Sequence, residues 1–313
     1  MTATAAAGAA VAEPERTATA SGPKRLRRPG RRSGYAYIAP FFVVFLAFSL
    51  YPWLDTAWVS LHDVRLTTYQ HQTWIGLDNY RNLLSNKFFW NAFWNTVTIG
   101  IISTVPQLCL ALGIAHLLNY QLRGRTFFRV AMLMPYATSL AAATVIFLEL
   151  FDKNQGIVNW GLEHVLHLPA VDWQGSKWPS QVAVSTIVTW RWTGYNALIY
   201  LAGMQSIDMS LYEAAAIDGA SVRQRFLHVT LPIIKPILII VTMFSIIFTF
   251  ADFQIVYALT HGGPANATQV YVTYAFDLGM SAGQLGMGAA AALTMLPALV
   301  LLIIGLTLYL RRE

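Results

Sequence analysis

Six stretches of 20 or more mostly apolar residues recur along the chain, at 37–59, 93–118, 128–151, 182–204, 237–257 and 286–310. A helix needs about 20 such residues to cross a bilayer, where no water can satisfy an open backbone. The pattern therefore predicts six transmembrane helices. Pro40 and Tyr51-Pro52 predict a kink in the first, and Pro106 and Pro135 lie inside the second and third.

A polar, Ala-rich island interrupts this pattern at residues 210–236. Ser210 and Glu213 have capping-box spacing, which predicts a short helix over 211–217. Asp218-Gly219 supplies the left-handed residue that ends such a helix, and Ser221 can cap a second one. In that second segment Val222, Phe226 and Val229 recur at helical spacing, and Pro232 marks the next boundary. The expectation is helix, tight turn, helix.

Composition strengthens the membrane reading. Hydrophobic residues make up 56% of the chain and charged residues 12%, with mean hydropathy +0.48, an apolar excess beyond what one soluble core uses. Residues 1–34 are rich in Ala, Thr, Pro and Gly and end in Lys24, Arg25, Arg27, Arg28, Arg31 and Arg32, which predicts a disordered basic tail on the cytoplasmic side. Arg31-Arg32 is not read as an export signal, because the apolar run after it is long enough to span and further spans follow. With the N-terminus inside, 15 Lys and Arg fall on cytoplasmic segments and five on external ones, so both termini are expected in the cytoplasm. Residues 35–313 then form one transmembrane domain, with the island, about 205–235, on the cytoplasmic face.

Candidate chemistry is sparse. Cys109 is the only cysteine, so no intrachain disulfide can form, and the seven His are scattered without metal-ligand spacing. No Gly-rich phosphate loop occurs, so the chain is not expected to hydrolyse ATP. Arg191 stands out, roughly 13 Å in from the outer end of the fourth stretch. A charge there costs at least about 2.5–3.5 kcal/mol and needs a partner or a wet cavity. At about 100° per residue, Arg191, Trp192, Tyr195 and Asn196 share one continuous side of the helix, and Trp190 falls off it. Aromatic faces beside a guanidinium and an amide suit a sugar. The competing reading is a helix lock in which Arg191 pairs with Asp252 or Glu149. Asp252 and Tyr257, near the outer end of the fifth stretch, are further candidates for the substrate path; Asp252 and Gln254 lie about 160° apart on a regular helix and cannot share a cavity. Gly279 and Gly283 form a small-residue packing motif before the last stretch.

The island resembles the EAA loop of bacterial ABC importer permeases, through Glu213-Ala214-Ala215, Asp218-Gly219-Ala220, Phe226, Leu231-Pro232 and Pro236. Trp74 to Tyr80 and Thr260 to Thr268 resemble outer segments of the carbohydrate-importer members, including the maltose and glycerol-phosphate permeases. Phe253-Gln254 departs from the family's frequent Phe-Asp. The resemblance implies the type I importer permease fold in a bacterial cell membrane, all-α, with residues 210–231 coupling to ATPases. It further implies a second permease subunit, two ATPase subunits that carry the ATP and Mg, an external solute-binding protein and a sugar substrate. This chain would bind no cofactor or nucleic acid. An ion-coupled secondary transporter is the alternative; it would show related halves and several intramembrane carboxylates.

Overall fold

A computed structural model describes residues 31–120 and 123–311. The predicted tail lies outside these residues as far as residue 30; from Arg31 the chain is already helical, four residues before the expected end of the tail. The chain forms two units, one up to Pro52 and one from Trp53.

The first unit contains helix α1 (Arg31–Phe45), a π-turn at Leu46–Leu50, and the start of α2 (Tyr51–Ser60). Pro52 has no N–H to donate, and the ladder widens just before it, Tyr51 bonding back to Leu46 O. A π-turn therefore lies where a kink was predicted, and the helix runs on as Tyr37–Ser60.

In the second unit, strands β1 (His62–Asp63) and β2 (Thr73–Trp74) pair antiparallel with His62 opposite Trp74, a small departure from an all-α chain. Helices α3 (Asp78–Ser85), α4 (Lys87–Asn119), α5 (Arg125–Ala137), α6 (Leu140–Leu150), α7 (Ile157–His164) and α8 (Lys177–Gln205) follow. Then come α9 (Met209–Ile217), α10 (Val222–Arg225), α11 (Leu231–Phe250), α12 (Gln254–Thr260), α13 (Tyr271–Phe276) and α14 (Leu285–Arg311).

The long helices α4 and α8 form the central pair. Ala111, Ala115 and Ala197 are fully buried where they meet, which brings the backbones close. Such contact matters because lipid is as apolar as a side chain, so association rests on packing and hydrogen bonds. Thr189 donates to Ser103 O across the pair at 3.1 Å. Gly203 takes the Ile237 side chain of α11 where a Cβ would collide with it.

Three expectations need correction. The third stretch is two helices, α5 and α6, bent by 92° at Thr138-Ser139, where the Thr138 hydroxyl and N–H both donate to Met134 O. The fifth stretch ends at Phe250, and Ala251 to Phe253 separate it from α12, so an argument from a regular helix does not hold for Asp252 and Gln254. Pro232 lies in the first turn of α11, as a boundary residue does, but it breaks nothing: a π-turn at Phe226–Thr230 absorbs it, Leu231 bonding back to Phe226 O, and the helical path continues as Val222–Phe250.

Four helices are long and apolar enough to cross a membrane among the described residues: Tyr37–Ser60, Lys87–Asn119, Val222–Phe250 and Leu285–Tyr309. The bent pair makes a fifth if counted as one. Helix α8, at 29 residues, has the length, but its polar residues, Arg191 among them, dilute its apolarity. Gly279 packs on Gly288 within the chain, whereas Gly283, at φ +68, is a turn residue.

Candidate functional site

The island folds as predicted in outline. Helix α9 starts at Met209, two residues before the predicted start, because Asp208 caps it by accepting from Ser210 N at 2.9 Å. The hydrogen bonds from Ser210 hold the Asp208 carboxyl below its usual range, so this cap is intact at neutral pH and is lost as pH falls through that lowered value. The expected Ser210–Glu213 box does not form. At the other end Ala220 N bonds to Ala215 O at 2.9 Å and Gly219 N to Ala216 O at 3.1 Å, with Gly219 at φ +77, a Schellman ending. Ser221 and Gln224 then form a reciprocal box, Ser221 N to Gln224 Oε1 at 2.7 Å and Gln224 N to Ser221 Oγ at 3.3 Å.

This turn presents two faces. Phe226 packs inward on His116 of α4, ring centroids 4.4 Å apart, and the Tyr212 and Thr230 hydroxyls meet at 2.8 Å, tying α9 to the π-turn. Leu231 is half-buried and Pro232 exposed. Glu213, Ala214, Asp218 and Gly219 face solvent; Ala215 and Ala220 are half-buried. Met209, Leu211 and Ile217 are also exposed, Ile217 at 87%, and α9 buries no residue. The capped helix thus leaves an apolar and acidic face exposed. Sequence reasoning missed these three apolar residues, because apolarity distinguishes nothing in so apolar a chain.

Arg191 lies beside the α5–α6 bend. Its guanidinium donates to Thr138 O at 3.3 Å, a carbonyl at the end of α5, and sits 5.7 Å from the centroid of the Tyr136 ring. A helix C-terminus and an aromatic face both favour a cation. No ion pair joins it to Asp252 or Glu149 among the described residues. Tyr136 stacks on Tyr195 at 4.9 Å and tilts against Trp192 at 5.4 Å, and Trp192 stacks on Phe248 of α11 at 5.2 Å. Gly194 makes this approach possible, since a Cβ there would overlap Met132 O.

The remaining candidates make other contacts. Asn196 is buried and donates to Ser245 of α11 at 3.0 Å, in a polar contact that Gln107 joins at 3.3 Å. Asp252 caps α12 by accepting from Ile255 N at 3.1 Å. Tyr257 stacks with Phe253 at 4.7 Å and packs against Phe276 at 5.4 Å. Trp190 packs on Phe147, away from the Arg191 side as predicted.

These features coincide with a match to known proteins. Residues 107–313 match the family described as binding-protein-dependent transport system inner membrane component. The chain belongs to that family. It is therefore a membrane-embedded permease, a transport subunit rather than an enzyme. It is 34% identical over 270 residues to the trehalose/maltose transport system permease protein MalF of Thermococcus litoralis, covering 86% of this chain and 90% of that one. The sn-glycerol-3-phosphate transport system permease protein UgpA of Escherichia coli is 31% identical over 271 residues, 86% of this chain and 90% of that one. A subunit of a bacterial alginate ABC transporter, crystallised with a periplasmic protein carrying an alginate pentasaccharide, shares the fold at TM-score 0.77 and 21% identity, over 90% of this chain and 94% of that one.

The permease also holds an amide clamp that sequence reasoning did not find. Asn91 and Asn95 both donate to Asn266 O at 2.8 Å, Asn95 also to Gln269 O at 3.1 Å, and Gln181 to Ala267 O at 2.7 Å and to Asn95 Oδ1 at 3.0 Å. These side chains fasten the loop after α12 to α4 and α8. Its signal was three amides within or beside apolar stretches, where a polar side chain needs a partner.

Proposed function

We propose that this permease forms the translocation path of an ATP-driven sugar importer together with a second permease subunit, with six spans and both termini in the cytoplasm. Two ATPase subunits, holding the ATP and Mg, would dock on the α9–α10 turn, and an external solute-binding protein would deliver the sugar. The observation that carries this reading is the turn itself: a rigid, doubly capped helix pair with an uncovered face, in a chain with no phosphate loop of its own. Because α8 leads into α9 and α10 runs on into α11, a push on the turn reaches both flanking helices. The names of the trehalose/maltose and arabinooligosaccharide relatives support a sugar as cargo. The Tyr136, Trp192 and Tyr195 rings around Arg191 offer the apolar faces and the donor that a sugar needs.

The test is copurification of the chain with an ATPase whose turnover rises with binding protein and sugar. Glu213→Lys is expected to release the ATPase or abolish that stimulation while membrane insertion persists. Uptake driven by an ion gradient with no ATPase present would overturn the reading in favour of a secondary transporter.

A further inference from the structure

We propose that the cavity where α4, α5, α8 and the α9–α10 turn meet is a binding site for a phosphate group. The cavity holds about 420 Å³. Arg125 from the first turn of α5 and Arg225 from α10 line it, with His116 and Tyr120 from the end of α4, Tyr212 from α9, and Thr230. No carboxylate lines it among the described residues, and neither arginine has an ion-pair partner there. The Nε of Arg225 is sealed from solvent and has no hydrogen-bond partner.

Arg125 is exposed and Arg225 half-buried, so the cavity is lined by two cations with no carboxylate to offset them, and the buried donor left unmade on Arg225 costs free energy. An anion with several oxygens offsets the charge and accepts from the donor. Arginine's planar fork matches phosphate, and two arginines match a group that carries up to two charges. The other polar groups are already arranged: Tyr120 OH lies 3.3 Å from His116 Nε2, and Tyr212 OH 2.8 Å from Thr230 Oγ1. Small-molecule sites span about 300–1,000 Å³, so this cavity has room for the phosphate and part of whatever carries it. The carrier is an anionic lipid headgroup, reached from the membrane at the end of α4, or phosphate free in solution. Either way the bound group ties α5 to α10, and so to the turn.

The full-length chain, purified in a phosphate-free sugar detergent, would be titrated separately with inorganic phosphate, phosphatidylglycerol and phosphatidylcholine, with thermal unfolding and native mass spectrometry as readouts. We expect saturable binding of inorganic phosphate or phosphatidylglycerol, weakened at least tenfold in the Arg125→Gln/Arg225→Gln protein and unchanged in Arg223→Gln, which removes an exposed charge from the same helix. A response to phosphatidylglycerol alone assigns the site to lipid; a response to inorganic phosphate assigns it to a soluble ligand. If neither ligand saturates, if Arg223→Gln weakens binding as much, or if the double variant binds like the parent, the proposal is wrong. Should the double variant not fold, Arg225→Lys replaces it: charge is kept and the fork lost, binding should weaken at least threefold, and unchanged affinity overturns the proposal.

Discussion

At the scale of single residues, the charge at Arg191 is held without a direct ion pair among the described residues, with Asp252 acting on it only through space. The α5–α6 bend frees the Thr138 carbonyl, and the Tyr136 ring covers the guanidinium. A cation held this way keeps its charge available to a passing ligand, whereas one neutralised in an ion pair does not. Arg191→Ala is therefore expected to cut sugar uptake at least tenfold while the complex still assembles, and Tyr136→Ala to do the same. Tyr136→Phe, which keeps the aromatic face, should retain most uptake. Transport assays beside copurification of the subunits decide it: loss of assembly in Arg191→Ala would return the residue to a purely structural role. Arg191, Trp192 and Tyr195 were legible in the sequence because a charge inside an apolar run demands explanation. Tyr136 was not, since it meets them only through a bend between helices more than 50 residues apart in sequence. Asn196 shared their helical wheel, yet its neighbour Ser245 lies on another helix, which no wheel records.

At the scale of elements, local chemistry was the readable part. The ending at Asp218-Gly219 and the cap at Ser221 depend on residues within a few positions, and both form as expected. The start of α9 was misplaced because Asp208 and Ser210 compete for the same role, and the aspartate wins. The two breaks, after Ala137 and after Phe250, were hidden because an apolar run scores the same whether its path is straight or bent. Open space surrounds a Cβ built on Gly219, so substitution there acts through the backbone alone. A non-glycine residue held in the left-handed region costs about 1–3 kcal/mol, most for a β-branched one, while Asn tolerates it. Gly219→Val should then misdirect α10 and uncouple ATPase activity from uptake, and Gly219→Asn should preserve coupling. Ser221→Ala removes only the cap, worth about 1 kcal/mol, and is expected to weaken coupling without abolishing it. Measured ATP hydrolysis per sugar imported separates the three; equal coupling in all would reduce the turn to a connector.

At the scale of the whole molecule, the proposed topology rests on where charge lies rather than on apolar length. Helix α8 lacks the apolarity of a simple span, yet α4 and α11 pack along it, and polar residues of α8 are spent on them, Thr189 on Ser103 and Asn196 on Ser245. A helix shielded by protein can cross a bilayer with more polar side chains than one facing lipid. Counting α8 as a span places the loop 152–176 and the α9–α10 turn on opposite sides of the membrane. Counting it out places them on the same side, so the two assignments predict different chemistry. Cys109 is the single native cysteine, and a Cys109→Ala background leaves none. In that background Asn154→Cys is expected to react with a membrane-impermeant maleimide in intact cells, and Asp218→Cys, exposed at the turn, only after the cells are opened. Labelling of both sites in intact cells would remove α8 from the spans and with it the placement of the turn beside an ATPase; labelling of both only after the cells are opened would remove α8 from the spans and leave the turn inside.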